Sequence, residues 1–333
     1  MSVSVRKNPQ MYLMNVNCEK LVPEDHLFRR VDKLIHLNKL EKEFAGLYSK
    51  LGCPGIPVQQ AIRMLLVQHM VDYSDRQMET ALKENIAVKW FCRYELEDKT
   101  PDHSFMGKFR NRIGTEGAAK IFNTIVRQLR SQGLVGDVFQ FVDATAMITK
   151  GALWEERDRA IQDKVEKFNN EVVGEYAADP QARFGCRGNK KFFFGYKKHV
   201  GADMKHGIIT KVAVTPGNVP DGKALKHVLN PETMTIADKA YSDKACNQTI
   251  KAKGCHDGTI KKRNNKDKNR DKDRFLTRLR SPFEGLFSKT SKRTRYRGHA
   301  KVQFQAFMES VTHNLKRWVT VTQSLQKLSP SMG

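Results

Sequence analysis

The chain has no long hydrophobic run. No stretch approaches the roughly 18 uninterrupted apolar residues that a membrane-crossing helix needs. The best candidate, Ile62 to Val71, is interrupted by Arg63, Gln68 and His69. The opening MSVSVRKNPQ lacks the apolar segment of a signal peptide, so no membrane partner and a cytoplasmic location are expected. Clustered cysteine is missing too. Cys18, Cys53, Cys92, Cys186, Cys246 and Cys255 form no C-x-x-C pair, which excludes zinc ribbons and tight disulfide frameworks and leaves ordinary thiols in a reducing cytosol. His199 and His206 have no Cys or His neighbours at ligand spacing and read as core or surface histidines. Acid is scarce as well: 36 Asp+Glu stand against 59 Lys+Arg, a net charge of +23 over 333 residues. Such an excess calls for a polyanion, and nucleic acid is the first choice once a membrane surface is set aside. At 39% hydrophobic residues the chain can still build a real core.

The first 135 or so residues read as helical. Pro57 opens a helix through Ala61, Leu65 and Met70 that ends at Asp72-Tyr73, and Ser74 with Gln77 forms a capping box for the next. A third helix starts at Thr100-Pro101-Asp102 and stops at Gly114, and a fourth runs from Thr115 to Gly133. At Val138 the period changes. Val138–Ala146 is a strand, followed by strands at Phe192–Asp203 and Gly207–Gly217 around the turn Lys205-His206-Gly207. A shorter strand at Thr233–Asp238 lies between helices at Gly222–Leu229 and Ser242–Lys253; Thr259–Lys262 would be a fifth strand, and Arg280–Val321 a helical tail. Strands in sequence, then strands alternating with helices, predict an α+β or α/β mixed sheet with helices on its faces. Residues 148–190 form a charged insertion, partly helix and partly loop. The expected division is a helical DNA-binding domain at 1–135, a catalytic domain at 136–325 and a tail at 326–333. Residues 261–301 hold 16 Lys+Arg against 4 Asp+Glu, half the net charge in an eighth of the chain.

Three carboxylates stand out. Asp143 interrupts an apolar strand, Phe139-Gln-Phe-Val-Asp-Ala-Thr-Ala146, where an unpaired charge costs several kcal/mol. Asp238 ends the apolar run Met234-Thr-Ile-Ala, at the carboxyl edge where open sheets bind ligands. Glu284, in Arg280-Ser-Pro-Phe-Glu-Gly, starts a helical stretch amid Lys and Arg. Taken singly, Asp143 could be a strand-end acid capped by amides, Asp238 a helix N-cap and Glu284 a first-turn acid favoured by the helix dipole. Together they suit phosphodiester chemistry. Two divalent ions roughly 3.5–4 Å apart activate the nucleophile and stabilise the leaving oxygen, and Mg²⁺ needs only two or three protein carboxylates because it keeps several waters.

The order of blocks along the chain resembles bacterial insertion-sequence transposases of the DDE class, more narrowly the insertion-sequence-five group. The matching blocks run from Tyr73-Ser-Asp-Arg-Gln-Met-Glu-Thr-Ala-Leu82 and Trp90-Phe91 through Thr100-Pro-Asp-His-Ser104 with Phe109-Arg110. They continue with Val142-Asp-Ala-Thr145, Gly195-Tyr-Lys-Lys-His199, Thr215-Pro-Gly-Asn-Val-Pro-Asp221, Ala237-Asp-Lys-Ala-Tyr241 and Arg280 with Glu284. The resemblance covers about residues 20–320. It implies an RNase H-like catalytic domain in which Asp143, Asp238 and Glu284 hold two Mg²⁺, with Mn²⁺ as a substitute. It also implies a bacterial protein associated with the nucleoid when bound to DNA. In the family's pattern around the glutamate, Arg280 and Glu284 match, whereas Thr277 stands for a tyrosine and Ser291 for a lysine. Lys289 and Lys292 flank that last slot and are candidate DNA contacts, as are Lys239 and Arg280, the latter suited to bidentate phosphate contact. The capped helix at Ser74 and the Phe109-Arg110-Asn111-Arg112 helix could form a helix-turn-helix-like reader through Arg110 and Arg112, or a purely structural bundle. Lys197 reads as a surface charge on a packed strand; turn chemistry accounts for Asn218 and Asp221.

The function expected is binding of terminal inverted repeats, cleavage at the element ends and joining of the 3′-hydroxyl to target DNA, by a homodimer on DNA. The alternatives are a nuclease of the same fold without strand transfer and a catalytically silent DNA-binding derivative.

Overall fold

The computed structural model describes residues 18–47, 55–149, 153–188, 191–262, 265, 268–287 and 291–328. Two compact units divide the chain: residues 1–34 with 52–109, and residues 35–51 with 110–333.

The first unit is helical: α1 (Cys18–Leu21), α2 (Leu27–Leu34), then, beyond α3 (Asn38–Ala45) of the second unit, α4 (Val58–Val71), α5 (Asp75–Glu84), α6 (Ile86–Phe91) and the start of α7 (His103–Ser131). The most apolar run of the sequence is α4, and nearly every one of its side chains is buried. Arg63 survives there because its guanidinium meets Asp32 at 2.6 Å and the Phe91 carbonyl at 3.2 Å, and lies over the Phe91 ring. Pro57 caps α4 and Asp72 ends it in a left-handed conformation. The capping box of α5 is complete in both directions: Ser74 Oγ accepts from the Gln77 N–H, and Gln77 Oε1 accepts from the Ser74 N–H at 2.8 Å. Gly114, at φ 58°, interrupts α7 where the sequence places a helix stop.

Among its described residues the second unit holds a six-stranded mixed sheet. Its strands are β1 (Phe139–Ile148), β2 (Arg183–Arg187), β3 (Lys191–Asp203), β4 (Ile209–Pro216), β5 (Met234–Ala237) and β6 (His256–Thr259), in the order β2-β3-β1-β5-β6 with β4 also on β3. β1 and β4 run antiparallel to β3, whereas β5 and β6 are parallel to β1. This is the sheet expected of an RNase H-like domain, with β2 added from the insertion. The insertion also carries α8 (Leu153–Gln162) and α9 (Val173–Tyr176). Asp179 pins it to the sheet, accepting from Tyr196 O–H at 2.8 Å, Thr149 O–H at 3.3 Å and the Gly298 N–H at 3.1 Å.

α10 (Asp221–Val228) and α11 (Lys244–Ala252) pack on one face, where Val142, Leu225, Val228, Ala237, Tyr241, Cys246 and Ile250 form a core. α12 (Arg270–Arg280) and α13 (His299–Leu328) complete the unit. Side chains of α13 satisfy β4 backbone groups: Asn314 bonds both N–H and C=O of Ile209, Gln303 accepts from Val214 N–H, and His299 meets Val214 O. The strand therefore offers less open backbone to another chain.

Three expectations are corrected. The last strand lies at His256–Thr259 rather than Thr259–Lys262; its composition is poor for a strand, but in-register pairing with β5 imposes it, and Gly258 lets Ile236 approach where a Cβ would clash. Residues 183–187 of the insertion are a strand, not helix or loop. The tail is not helical throughout: Ser281–Phe287 is a 3-10 stretch and α13 begins only at His299, after Gly298 at φ 89°. Pro282 and Gly285 are poor company for an α-helix.

Candidate active site

Two neighbouring strands make the candidate site. The parallel ladder of β1 and β5 stops at Val142↔Ala237, so Asp143 and Asp238 are the next residue on each strand. Parallel neighbours lie about 4.8 Å apart, so the backbone alone puts these two carboxylates side by side. Each spends one oxygen on backbone: Asp143 Oδ1 accepts from Ala144 N–H at 2.8 Å, and Asp238 Oδ1 accepts from Ala240 N–H at 2.8 Å as N-cap of the 3-10 turn Lys239–Tyr241.

Burial pushes the Asp143 carboxyl up to about 6, and its neighbours Asp238 and Asp221 push the same way; the Ala144 N–H and Arg280 pull against them. Arg280, on α12, meets Asp143 Oδ2 at 3.6 Å and lies over the Phe141 ring. Asp221, at the first turn of α10, receives Lys197 Nζ at 2.9 Å, and the same ammonium donates to the Val219 carbonyl. Sequence reasoning gave Lys197 to the surface and Asp221 to a turn; Asp221 acts on Asp143, and the signal was its place in the Pro/Gly-rich Thr215–Asp221 block. His199 is fully buried with Nε2 on Thr215 Oγ1 at 2.8 Å, and burial holds its imidazole down to about 4, a core histidine as expected.

The remaining candidates are distributed unevenly. Glu284 is exposed on the 3-10 stretch, next to Phe283, whose ring stacks on Phe141 with centroids 5.9 Å apart. Among the described residues no group of three or more His, Cys, Asp or Glu side chains is placed to hold a metal ion, so Glu284 does not join Asp143 and Asp238 here. Lys239 is exposed beside Asp238. Lys292 is exposed, and its carbonyl accepts from Ile148 N–H at the end of β1. Lys289 lies outside the described residues. Arg110 sits over the Tyr296 ring at 5.1 Å and Arg112 is exposed; both belong to the second unit. Thr277, in the tyrosine slot, turns its hydroxyl back to the Asp273 carbonyl at 2.7 Å. No helix among the described residues is long and apolar enough to cross a membrane.

A test of fit to divalent cations favours the strand pair. The donors are hard carboxylate oxygens, and the buried one is disfavoured as an anion by burial and then by its acidic neighbours, a cost that a bound cation would offset.

Comparison with known families gives two matches. Residues 16–112 match the family model "Transposase domain (DUF772)", and residues 136–315, more than half of the chain, match "Transposase DDE domain". No solved structure matches the chain.

Proposed function

The chain belongs to the insertion-sequence DDE transposases, and from that premise we propose that it cuts DNA at the ends of its element and joins the freed 3′-hydroxyl to target DNA at Asp143, Asp238 and Glu284. The observation that carries this reading is the side-by-side placement of Asp143 and Asp238 where the parallel ladder of β1 and β5 stops. The order of the sequence blocks supports a place in the insertion-sequence-five group.

Asp143 and Asp238 would hold the divalent ions, Mg²⁺ or Mn²⁺. A divalent ion held there would supply activation of the attacking water or 3′-hydroxyl and charge offset at the leaving oxygen. The chain's own residues do the rest. Arg280 partly neutralises Asp143 while no cation is present, and its planar guanidinium suits a phosphate oxygen of incoming DNA. Lys239, Lys292, Lys289, Arg110 and Arg112 supply further backbone contacts, which makes binding salt-dependent. Glu284 joins by rewinding. In the 3-10 stretch a residue four beyond Arg280 is turned about 120° away from it, whereas in an α-helix it is within about 40°. Extending α12 through Ser281–Phe287 as α-helix, at the roughly 3 kcal/mol that Pro282 costs a helix interior and that bound DNA has to offset, swings Glu284 onto the face by which Arg280 reaches Asp143. Pairing of two element ends calls for a homodimer on DNA.

The test uses a labelled duplex carrying the repeats that flank the coding region, with Mg²⁺, followed by pre-cleaved ends and a supercoiled plasmid. Asp143→Asn, Asp238→Asn and Glu284→Gln are each expected to lose cleavage by at least ~10³-fold while end binding persists, as removal of groups acting in one transition state does. Full cleavage by any of them refutes its role. Cleavage without joining identifies a nuclease, and binding without cleavage a silent derivative.

A further inference from the structure

Tyr241 is the last residue of the 3-10 turn that Asp238 caps, and its N–H closes that turn on the Asp238 carbonyl at 3.1 Å. Val142 and Ala237, the residues that immediately precede Asp143 and Asp238, share one core cluster with Tyr241. Its ring packs into the core with Val142, Leu225, Ala237 and Cys246, and the residue is 1% exposed. The hydroxyl at its tip has no hydrogen-bond partner. A buried donor left unmade is destabilising, and a phenylalanine would fill the same core without that cost. Three carboxylates act on the phenol, Asp221, Asp143 and Asp238, and behind burial itself they raise its pKa further, so the group stays a neutral O–H donor. Carboxylates are acceptors only. Asp221 already accepts from Lys197, whereas Asp143 and Asp238 each engage the backbone through one oxygen only and keep acceptor capacity on the other.

Resting on the reading of Asp143 and Asp238 as cation ligands, we propose that Tyr241 is a positioning residue whose buried hydroxyl donates to that carboxylate pair when a divalent ion binds and holds it in the coordinating orientation. No proton is transferred; the O–H gains the acceptor it lacks in the metal-free fold. The side chain acts through the ligands and does not touch the DNA.

Isothermal titration of Mn²⁺ into the full chain without DNA tests this, for the wild type, Tyr241→Phe and Asp143→Asn. Tyr241→Phe is expected to weaken Mn²⁺ binding about 10–100-fold, as loss of a ligand's supporting hydrogen bond does, while its melting temperature in EDTA is unchanged or higher. Equal Mn²⁺ affinity in the wild type and Tyr241→Phe, with binding lost in Asp143→Asn, overturns the inference and leaves the site assignment standing. Undiminished binding in Asp143→Asn overturns the site assignment itself, and the inference with it. Should Tyr241→Phe fail to fold, 3-fluorotyrosine placed at position 241 keeps the shape: its ¹⁹F resonance should move on adding Mg²⁺, and a stationary resonance refutes the proposal.

Discussion

The end of the β1–β5 ladder and the basic segment 261–301 contribute to the same proposed site by opposite physical routes. Asp143 and Asp238 are fixed by strand register, which the paired backbone and the core beneath it enforce. Glu284 hangs on a 3-10 stretch, exposed, within 41 residues that carry 16 Lys+Arg against 4 Asp+Glu. Hydrogen bonds in a 3-10 helix are poorer than in an α-helix, and runs beyond three or four residues are uncommon. Like charges along the segment also oppose compact winding until a polyanion screens them. A carboxylate built into a sheet is present before the substrate; one carried on a charged, loosely wound segment becomes available with it.

The sharpest way to break this contrast is to titrate Mn²⁺ into the protein without DNA. Asp143→Asn should lose binding by more than the roughly 10–100-fold typical of supporting residues. Glu284→Gln should bind almost as the wild type does, because its carboxylate is not at the strand pair. Equal losses in both variants would mean that Glu284 already sits with the aspartates in the free protein.

Stability offers a second contrast. The Asp143 carboxyl has a folded value of about 6 against a reference of 3.8. Between those values the folded chain binds more protons than the unfolded one, so the ionised group costs stability as pH rises, and the cost is complete above about 6. In EDTA at pH 8, Asp143→Asn should therefore be more stable than the wild type by up to ~3 kcal/mol, an advantage that fades as pH falls toward 4. Glu284→Gln, at an exposed position, should change urea stability by less than ~0.5 kcal/mol. A destabilised Asp143→Asn would show that its bonds to Ala144 and Arg280 outweigh burial.

How far the sequence could be read follows the same division. Period and caps located α4, α5, the Gly114 break, β1 and β3, because local chemistry and tertiary packing agree there. β6 and β2 escaped because His256-Asp-Gly-Thr and Arg183-Phe-Gly-Cys-Arg have no strand pattern of their own and are made strands by partners already in place. α12 escaped because it buries little beyond Asp273 and Leu276, and a charged run with so few apolar positions shows no period. At the proposed site, an acid inside or just past an apolar strand is conspicuous, so Asp143 and Asp238 stand out as candidates from the sequence. Lys197, Asp221 and Tyr241 do not, since each has an ordinary local explanation, and only the register of β3 and the turn after β5 bring them near Asp143.

The smallest expected effect is the most direct test of the conditional half. Gly285 follows Glu284 in the 3-10 stretch, and a Cβ there meets nothing within 4 Å. Gly285→Ala adds no clash, yet favours α-helix by about 1 kcal/mol, which is about a fivefold shift in a two-state equilibrium at most. If α-helical winding of Ser281–Phe287 delivers Glu284, this variant should raise helicity measured by circular dichroism and lower the Mg²⁺ concentration for half-maximal cleavage severalfold. Mn²⁺ binding to the free protein should stay unchanged, because the strand pair is untouched. Combination with Glu284→Gln separates winding from catalysis, since the double variant should keep the added helicity and have no cleavage. Raised helicity without any change in the Mg²⁺ requirement would show that winding does not limit the reaction, and that Glu284 reaches the aspartates by some other movement of the segment.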